Sequence, residues 1–219
     1  MGKNILVAAA TAKEINPFIE LIRKEKFNNN IDILVSGIGL TASTYHFYKQ
    51  LALKKYDLVI QAGVAGSFDL RIPLGTVVSI RQDTIADQSV IELKKLKTLF
   101  DLKLVPNNQH PYKNGWLLNP YKKVLKKTGL KIVKGISVNQ ISTSKQMIQF
   151  YRDMFDPVTE SMEGAALHYV CLMENVPFVQ IRSISNYIGE RNKQKWDMND
   201  SIINLNDNLV ALIKTLNDQ

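Results

Sequence analysis

Hydrophobic positions along this chain form short continuous runs that alternate with stretches at helical spacing. Ile5-Leu6-Val7-Ala8-Ala9-Ala10 is a run of strand length, and Ile15, Phe18, Ile19 and Ile22 follow at the spacing of one helix face. Ile31 to Val35 predicts a second strand, closed by Ser36-Gly37-Ile38-Gly39, and Thr41 to Leu53 predicts a helix. A third strand is expected over Asp57 to Gln61, running into Ala62-Gly63-Val64-Ala65-Gly66. A fourth covers Gly75 to Gln82, after a turn at Ile72-Pro73-Leu74-Gly75. Lys103 to Pro120, rich in Pro, Asn and Gly, reads as loop, and a helix is expected from Pro120 to Lys127. Ile132 to Ile141 predicts a strand and Ser144 to Phe155 a helix with Ser144 at its N-cap. Glu163 to Glu174 predicts a helix and Pro177 to Ile184 a strand, and Ile202, Leu205, Leu209, Leu212 and Leu216 mark a C-terminal helix. Strands alternating with helices predict α/β architecture.

At 219 residues, with no repeat and no linker between separately patterned halves, one domain spanning 1–219 is expected. Hydrophobic residues make up 45% and charged residues 22%, which excludes a disordered or fibrous chain. No apolar run approaches the ~18 residues of a membrane span. The N-terminal run passes into a charged helix without a cleavage-like spacer, so no signal peptide is read. A lone Cys171 excludes an internal disulfide and suits a reducing compartment. The three dispersed histidines give no zinc-ligand spacing. A soluble, cytoplasmic protein without membrane partner, metal or cofactor is expected.

Charge adds one question. Lys and Arg number 28 against 20 Asp and Glu, a net +8, so nucleic-acid binding has to be weighed. The surplus lies in Lys94-Lys95-Leu96-Lys97 and between Lys122 and Lys134, without the interleaved aromatics of a base-stacking platform. No nucleic-acid-binding signature accompanies it, and a solvated face is the better reading.

Ligands of open α/β sheets bind outside the carboxyl ends of strands, and four such segments carry suggestive residues. Thr11 and Glu14 have the T-x-x-E spacing of a capping box, so Glu14 either satisfies a helix start or stands ready as a general base. Gly63-Val64-Ala65-Gly66-Ser67 permits close backbone approach to a ligand or is a simple tight turn. It matches neither the P-loop nor G-x-G-x-x-G. Glu160-Ser161-Met162-Glu163 sets two acids at the mouth of a small-residue helix. Ile181-Arg182-Ser183-Ile184-Ser185-Asn186 admits an arginine into an apolar strand, and alternation puts Arg182 on the face opposite Ser183 and Ser185. A buried arginine needs an acidic partner, and Glu163 is the candidate. His168, five residues past Glu163, and Cys171 read as packing or interface residues. His46 and His110 have no recognisable partner.

Together, Ser-Met-Glu-Gly-Ala-Ala at 161–166 and Val176-Pro177-Phe178-Val179-Gln180-Ile181-Arg182-Ser183-Ile184-Ser185 resemble the nucleoside phosphorylase and nucleosidase superfamily. The Gly-Val-Ala-Gly segment and the strand leading to Glu14 stand in the matching order. The resemblance implies a central mixed, partly barrel-like sheet flanked by helices, assembled as a homo-oligomer, a dimer or larger. It implies a purine nucleoside as substrate and water as nucleophile, because the phosphate-holding arginines of the phosphorylases are absent from Ala-Ala-Thr-Ala-Lys-Glu at 9–14. By the same resemblance Glu14 is the base for water, Glu163 binds ribose hydroxyls, and Met162 packs on the sugar. Arg182 orients Glu163, and Val64, Ala65, Gly66, Ser142 and Ser185 contact the substrate.

Asn186 departs from the adenine-releasing nucleosidases, which carry an aspartic acid there to protonate purine N7. Ser185-Asn186-Tyr187-Ile188, Arg191-Asn192, Trp196 and Ser137-Val138-Asn139-Gln140 resemble the futalosine hydrolase branch, menaquinone-pathway enzymes that release hypoxanthine from futalosine. Val64 and Ser67-Phe68 support that separation. Asn186 is then catalytic, with its amide donating to N7 and O6 of a departing 6-oxopurine. Arg191 and Trp196 are candidates for the carboxylated aromatic 5′ group. The alternatives are a 5′-methylthioadenosine/S-adenosylhomocysteine nucleosidase, an inosine-type phosphorylase, and a non-catalytic nucleoside-binding protein.

Overall fold

The computed structural model of the chain describes residues 2–24, 27 and 29–217. In chain order the first half holds β1 (Asn4–Ala9), α1 (Ala12–Lys24), β2 (Asn30–Val35), α2 (Leu40–Leu53), β3 (Leu58–Ser67), β4 (Val77–Asp83), β5 (Ser89–Glu92) and β6 (Lys95–Thr98). The second half adds β7 (Leu117–Leu118), α3 (Lys122–Lys127), β8 (Lys131–Ser137), α4 (Lys145–Phe155), β9 (Thr159–Ser161), α5 (Gly164–Met173), β10 (Phe178–Tyr187) and α6 (Met198–Asn217).

One mixed sheet runs β10-β4-β8-β9-β3-β1-β2, and β10 also pairs with β3. The second pairing closes five strands into a ring, which leaves β1 and β2 as an open extension. The expected α/β class with a mixed, partly barrel-like sheet is the fold observed. Strands β1, β2, β3 and β10 are mutually parallel neighbours, whereas β4 runs against β10 and β9 against β3. Strand β1 reads as an unbroken apolar run because both of its faces are covered. Ile5, Val7 and Ala9 meet the cluster of Phe18, Leu205 and Leu209 from α1 and α6, while Leu6 and Ala8 meet Phe47, Leu167 and Val170 from α2 and α5. The lysines of α3 behave as a solvated face, with Lys122, Lys123 and Lys126 exposed. Among the described residues no helix is long and apolar enough to cross a membrane.

Four local expectations need correction. The Gly63–Gly66 segment is not a turn: β3 continues through it to Ser67, paired with β10. Strand β10 likewise runs on to Tyr187 rather than stopping at Ile184. Strand β8 ends at Ser137, short of Ile141, because the Asp87 carboxylate takes the backbone N–H groups of Asn139 (2.5 Å) and Gln140 (3.4 Å) and draws the chain off the ladder. Finally, Ser89 to Thr98 forms a hairpin that periodicity did not announce. Its two-residue turn is Leu93-Lys94, both at positive φ (49° and 62°), in place of the Asn-Gly or Gly signal that usually marks such turns. Ser144 does occupy the N-cap of α4, yet its side chain makes no capping bond.

Candidate active site

The carboxyl ends of β1, β3 and β10 and the starts of α1 and α5 surround a cavity of about 410 Å³. Glu14, at the first turn of α1, is buried and lines it. Its Oε2 accepts the Thr11 N–H (3.0 Å) and the Thr11 hydroxyl (2.9 Å), and its Oε1 accepts the Val64 N–H from β3 (3.1 Å). The bonds that cap the helix thus also fix the carboxylate on the cavity wall. Asn206 of α6 supports it from behind: its amide donates to the Glu14 carbonyl (2.9 Å) and accepts from the Phe18 N–H (3.0 Å). Pro17 lies between these two groups inside α1, where a missing backbone N–H weakens the helix ladder.

Glu163 stands at the N-cap of α5, buried, with Oε1 accepting the Gly39 N–H (3.1 Å). Burial pushes its carboxyl above the usual carboxylate range; the Arg182 guanidinium pulls it back, and the nearby Glu14 carboxylate pushes it up again. Arg182, only 1% exposed, brings Nη1 to 3.7 Å from Glu163 Oε2, and Nη2 donates to Gln61 Oε1 (3.1 Å). Gly63 owes its identity to this arginine, because a Cβ there would overlap the guanidinium and sit 3.2 Å from Glu14 Oε1. The glycine thus serves a close approach of side chains, not a turn.

Simple alternation would aim Ser185 and Asn186 to opposite faces. The ladder between β10 and β3 slips between Ile184 and Asn186, leaving Ser185 as the extra residue of a bulge, and both side chains line the cavity. The Ser185 hydroxyl donates to Asn186 Oδ1 (3.0 Å), and Asn186 Nδ2 donates to the Tyr187 carbonyl (3.2 Å). With Oδ1 accepting from Ser185 and one N–H of Nδ2 given to the Tyr187 carbonyl, the amide has one N–H left to offer a ligand.

Of the other residues singled out from sequence, Met162, Val64, Ala65, Gly66 and Trp196 line the cavity. Arg191 is exposed outside it, with its guanidinium carbon 5.6 Å from the centre of the Trp196 ring. Ser142 is not on the wall either; its N–H (3.0 Å) and its hydroxyl donate to the carboxylate of Glu160, which is. Burial raises the Glu160 carboxyl, and these two bonds oppose the rise. Ile38, Ile141, Ile188, Met198 and Ile202, to none of which the sequence assigns a ligand contact, give the cavity its apolar surface. Such side chains carry no signal distinguishing a ligand wall from core. Gln61, Asp83 and Gln180 were also passed over, although a polar residue inside an apolar strand is a usable sign of a buried network.

Residues 5–216 match the phosphorylase superfamily, and the chain belongs to it. Among its relatives, a 5′-methylthioadenosine/S-adenosylhomocysteine nucleosidase of Haemophilus ducreyi is 29% identical over 170 residues, covering 75% of this chain and 71% of that one. A futalosine hydrolase of Streptomyces coelicolor is 24% identical over 191 residues, with 84% and 79% covered. Among solved structures, a futalosine hydrolase of Helicobacter pylori superposes with a TM-score of 0.78 at 23% identity, covering 97% of each chain. A nucleosidase of the methylthioadenosine type from Colwellia psychrerythraea, in complex with adenine, gives 0.80 at 18% identity, covering 99% of this chain and 96% of that one. At these identities the structural likeness speaks for the fold.

Proposed function

We propose that this chain is a nucleosidase that hydrolyses the N-glycosidic bond of a purine nucleoside, with futalosine as substrate and hypoxanthine as released base. The observation that carries the choice of base is the cavity-lining Asn186 amide, whose Oδ1 is held by Ser185 and whose Nδ2 has one N–H beyond the one given to the Tyr187 carbonyl. Hypoxanthine leaves with negative charge over N7 and O6, both acceptors on one edge, and an amide donor stabilises that charge where a carboxylate would repel it. Glu163 takes the ribose hydroxyls, and as an anion favours the positive charge that develops on the sugar as the bond from C1′ to N9 opens. Water then attacks C1′ and gives its proton to Glu14. Among the lining residues Lys13 is the one cation, and it is exposed, so the buried carboxylates of Glu14, Glu160 and Glu163 rather than a phosphate-holding cluster dominate the lining.

The 5′ end of the nucleoside extends toward Trp196, whose ring is braced by its Nε1 bond to the Glu190 carbonyl (3.1 Å) and flanked by Arg191. A carboxylate on the 5′ group would pair with Arg191 at the mouth. The assembly is a homo-oligomer in this reading, supported by the exposed apolar side chains Val35, Ile38, Tyr45 and Tyr48, of which Ile38 lines the cavity. A cytoplasmic location is supported by the free, buried Cys171.

Incubation with futalosine, 5′-methylthioadenosine and inosine, each with and without phosphate, followed by chromatography, tests the proposal. Hypoxanthine from futalosine at a rate indifferent to phosphate is the expected outcome. Preferential release of adenine from methylthioadenosine would favour the second reading, a methylthioadenosine/S-adenosylhomocysteine nucleosidase, which the apolar wall of Ile38, Met198 and Ile202 would equally suit. Within the first reading, Asn186→Asp replaces the donor with an acceptor. It is expected to lower hypoxanthine release by about 5- to 150-fold, the rate equivalent of one buried group left unpaired, and to spare or raise adenine release. Unchanged hypoxanthine release in this variant would remove Asn186 from the base site.

A further inference from the structure

Behind Arg182, on the side away from the cavity, lies a chain of buried polar groups that the proposed hydrolysis does not use. His168 of α5 is fully buried, its Nδ1 lies 2.8 Å from the Leu117 carbonyl, and its ring meets Phe178 edge-on at 4.6 Å. A carbonyl can only accept, so Nδ1 carries the proton. Burial holds the imidazolium form off, with the ring's pKa lowered to about 4, so the ring is neutral and Nε2 is an acceptor. Gln180 of β10 answers it. Its amide has one orientation that matches its neighbours: Nε2 donates to His168 Nε2 (2.9 Å) and Asp83 Oδ2 (3.3 Å), and Oε1 accepts from Arg182 Nε (3.1 Å). The two ends agree independently, because Arg182 Nε can only donate and the Leu117 carbonyl can only accept. Ser137 closes the far side, donating to Asp83 Oδ1 (2.9 Å) while accepting the Ala165 N–H of α5 (2.8 Å). Gly164 leaves room for the cluster, since a Cβ there would overlap Asp83 and the Gln180 amide.

We propose that His168 and Gln180 are positioning residues for Glu163: the fixed tautomer of His168 sets the face of the Gln180 amide, and that face holds Arg182 in the orientation that meets Glu163. With Nε tied to Gln180, the guanidinium plane is fixed; Nη1 is left for the Val64 carbonyl (3.5 Å) and the Glu163 carboxylate (3.7 Å), and Nη2 for Gln61. A turned Gln180 amide would set its NH₂ against the Nε–H of Arg182 and release the arginine from this plane. Glu163 would then keep its charge partner without a fixed direction toward the ribose. Packing alone would need only the volume of the imidazole.

The rate measurement rests on the nucleosidase reading, and a measurement without substrate stands beside it. His168→Phe keeps a ring against Phe178 but removes the acceptor, whereas His168→Gln gives up the ring and keeps an acceptor near Nε2. On whichever of futalosine or 5′-methylthioadenosine the wild type cleaves, kcat is expected to fall roughly 5- to 150-fold in the Phe variant, as for one buried donor left unpaired. The Gln variant is expected to recover most of that loss. A packing role predicts the opposite order, and a Phe variant as active as the Gln variant or more so would overturn the proposal. In ¹⁵N-labelled protein without ligand, the wild type is expected to show His168 protonated at Nδ1 and a slowly exchanging Arg182 Nε–H that is lost in the Phe variant. Gln180→Leu breaks the same chain from the other end, and covers the case of a Phe variant that does not fold. An Arg182 Nε–H still protected in Gln180→Leu would also overturn the proposal, whatever the substrate proves to be.

Discussion

Glu14→Gln is expected to cut turnover by about 10²- to 10⁴-fold while KM for the nucleoside changes little. The amide keeps the size of the carboxylate but cannot take a proton from water. Its oxygen can replace Oε1 on the Val64 N–H, and its NH₂ then faces Thr11, whose hydroxyl can turn to accept but whose backbone N–H loses its partner. A modest loss of stability, ~1–3 kcal/mol, accompanies the change. Steady-state kinetics and thermal unfolding on the same preparation separate the two effects. If turnover stays near that of the wild type while stability falls, Glu14 is a helix cap only, and the proton acceptor has to be sought elsewhere on the wall.

Arg182→Met is expected to cost about 3–5 kcal/mol of unfolding free energy at neutral pH, the usual penalty for removing one partner of a buried ion pair. Methionine fills much of the space, so the loss is mainly electrostatic. It leaves Glu163 and Asp83 without the arginine that draws both carboxyls down. Burial already raises both carboxyls in the folded state, Asp83 to about 6. Removing the cation raises them further. A carboxyl whose folded pKa is raised opposes folding once pH exceeds its unfolded value, increasingly so as pH rises toward the folded one. The deficit of the variant is therefore expected to shrink between pH 7 and pH 5, where the buried carboxyls accept protons and need no counter-charge. Urea unfolding at both pH values measures it. A deficit that is the same at both would mean that Arg182 contributes volume and hydrogen bonds rather than charge.

Both variants fall on residues that the sequence could foresee. Glu14 was visible through its T-x-x-E spacing, and the pairing of Arg182 with Glu163 followed from the cost of leaving a cation alone in an apolar strand. In both cases a local rule and a long-range requirement pointed to the same side chain. The Gly63–Gly66 segment misled, because glycine is read locally as freedom to turn. Here its smallness serves Arg182 from the neighbouring strand at Gly63, and Asn186 and Ile188 at Gly66. The hairpin at Ser89–Thr98 was invisible for the opposite reason, its turn being made by Leu93 and Lys94 without the residues that normally adopt positive φ.

By itself, the sequence determined the α/β class, the order of its main elements and the polar residues at the strand ends. These depend on periodicity and on the chemistry of single side chains, both of which are written along the chain. Tertiary structure alone decided three things: the closure of the sheet through the pairing of β10 with β3, the bulge that turns Ser185 and Asn186 onto the same cavity, and the buried chain from Leu117 through His168 and Gln180 to Arg182. Each depends on a contact between segments far apart in sequence, about 120 residues for β3 and β10. A hydrogen bond or register shift across such a distance has no local pattern, because it exists only once the two strands lie side by side.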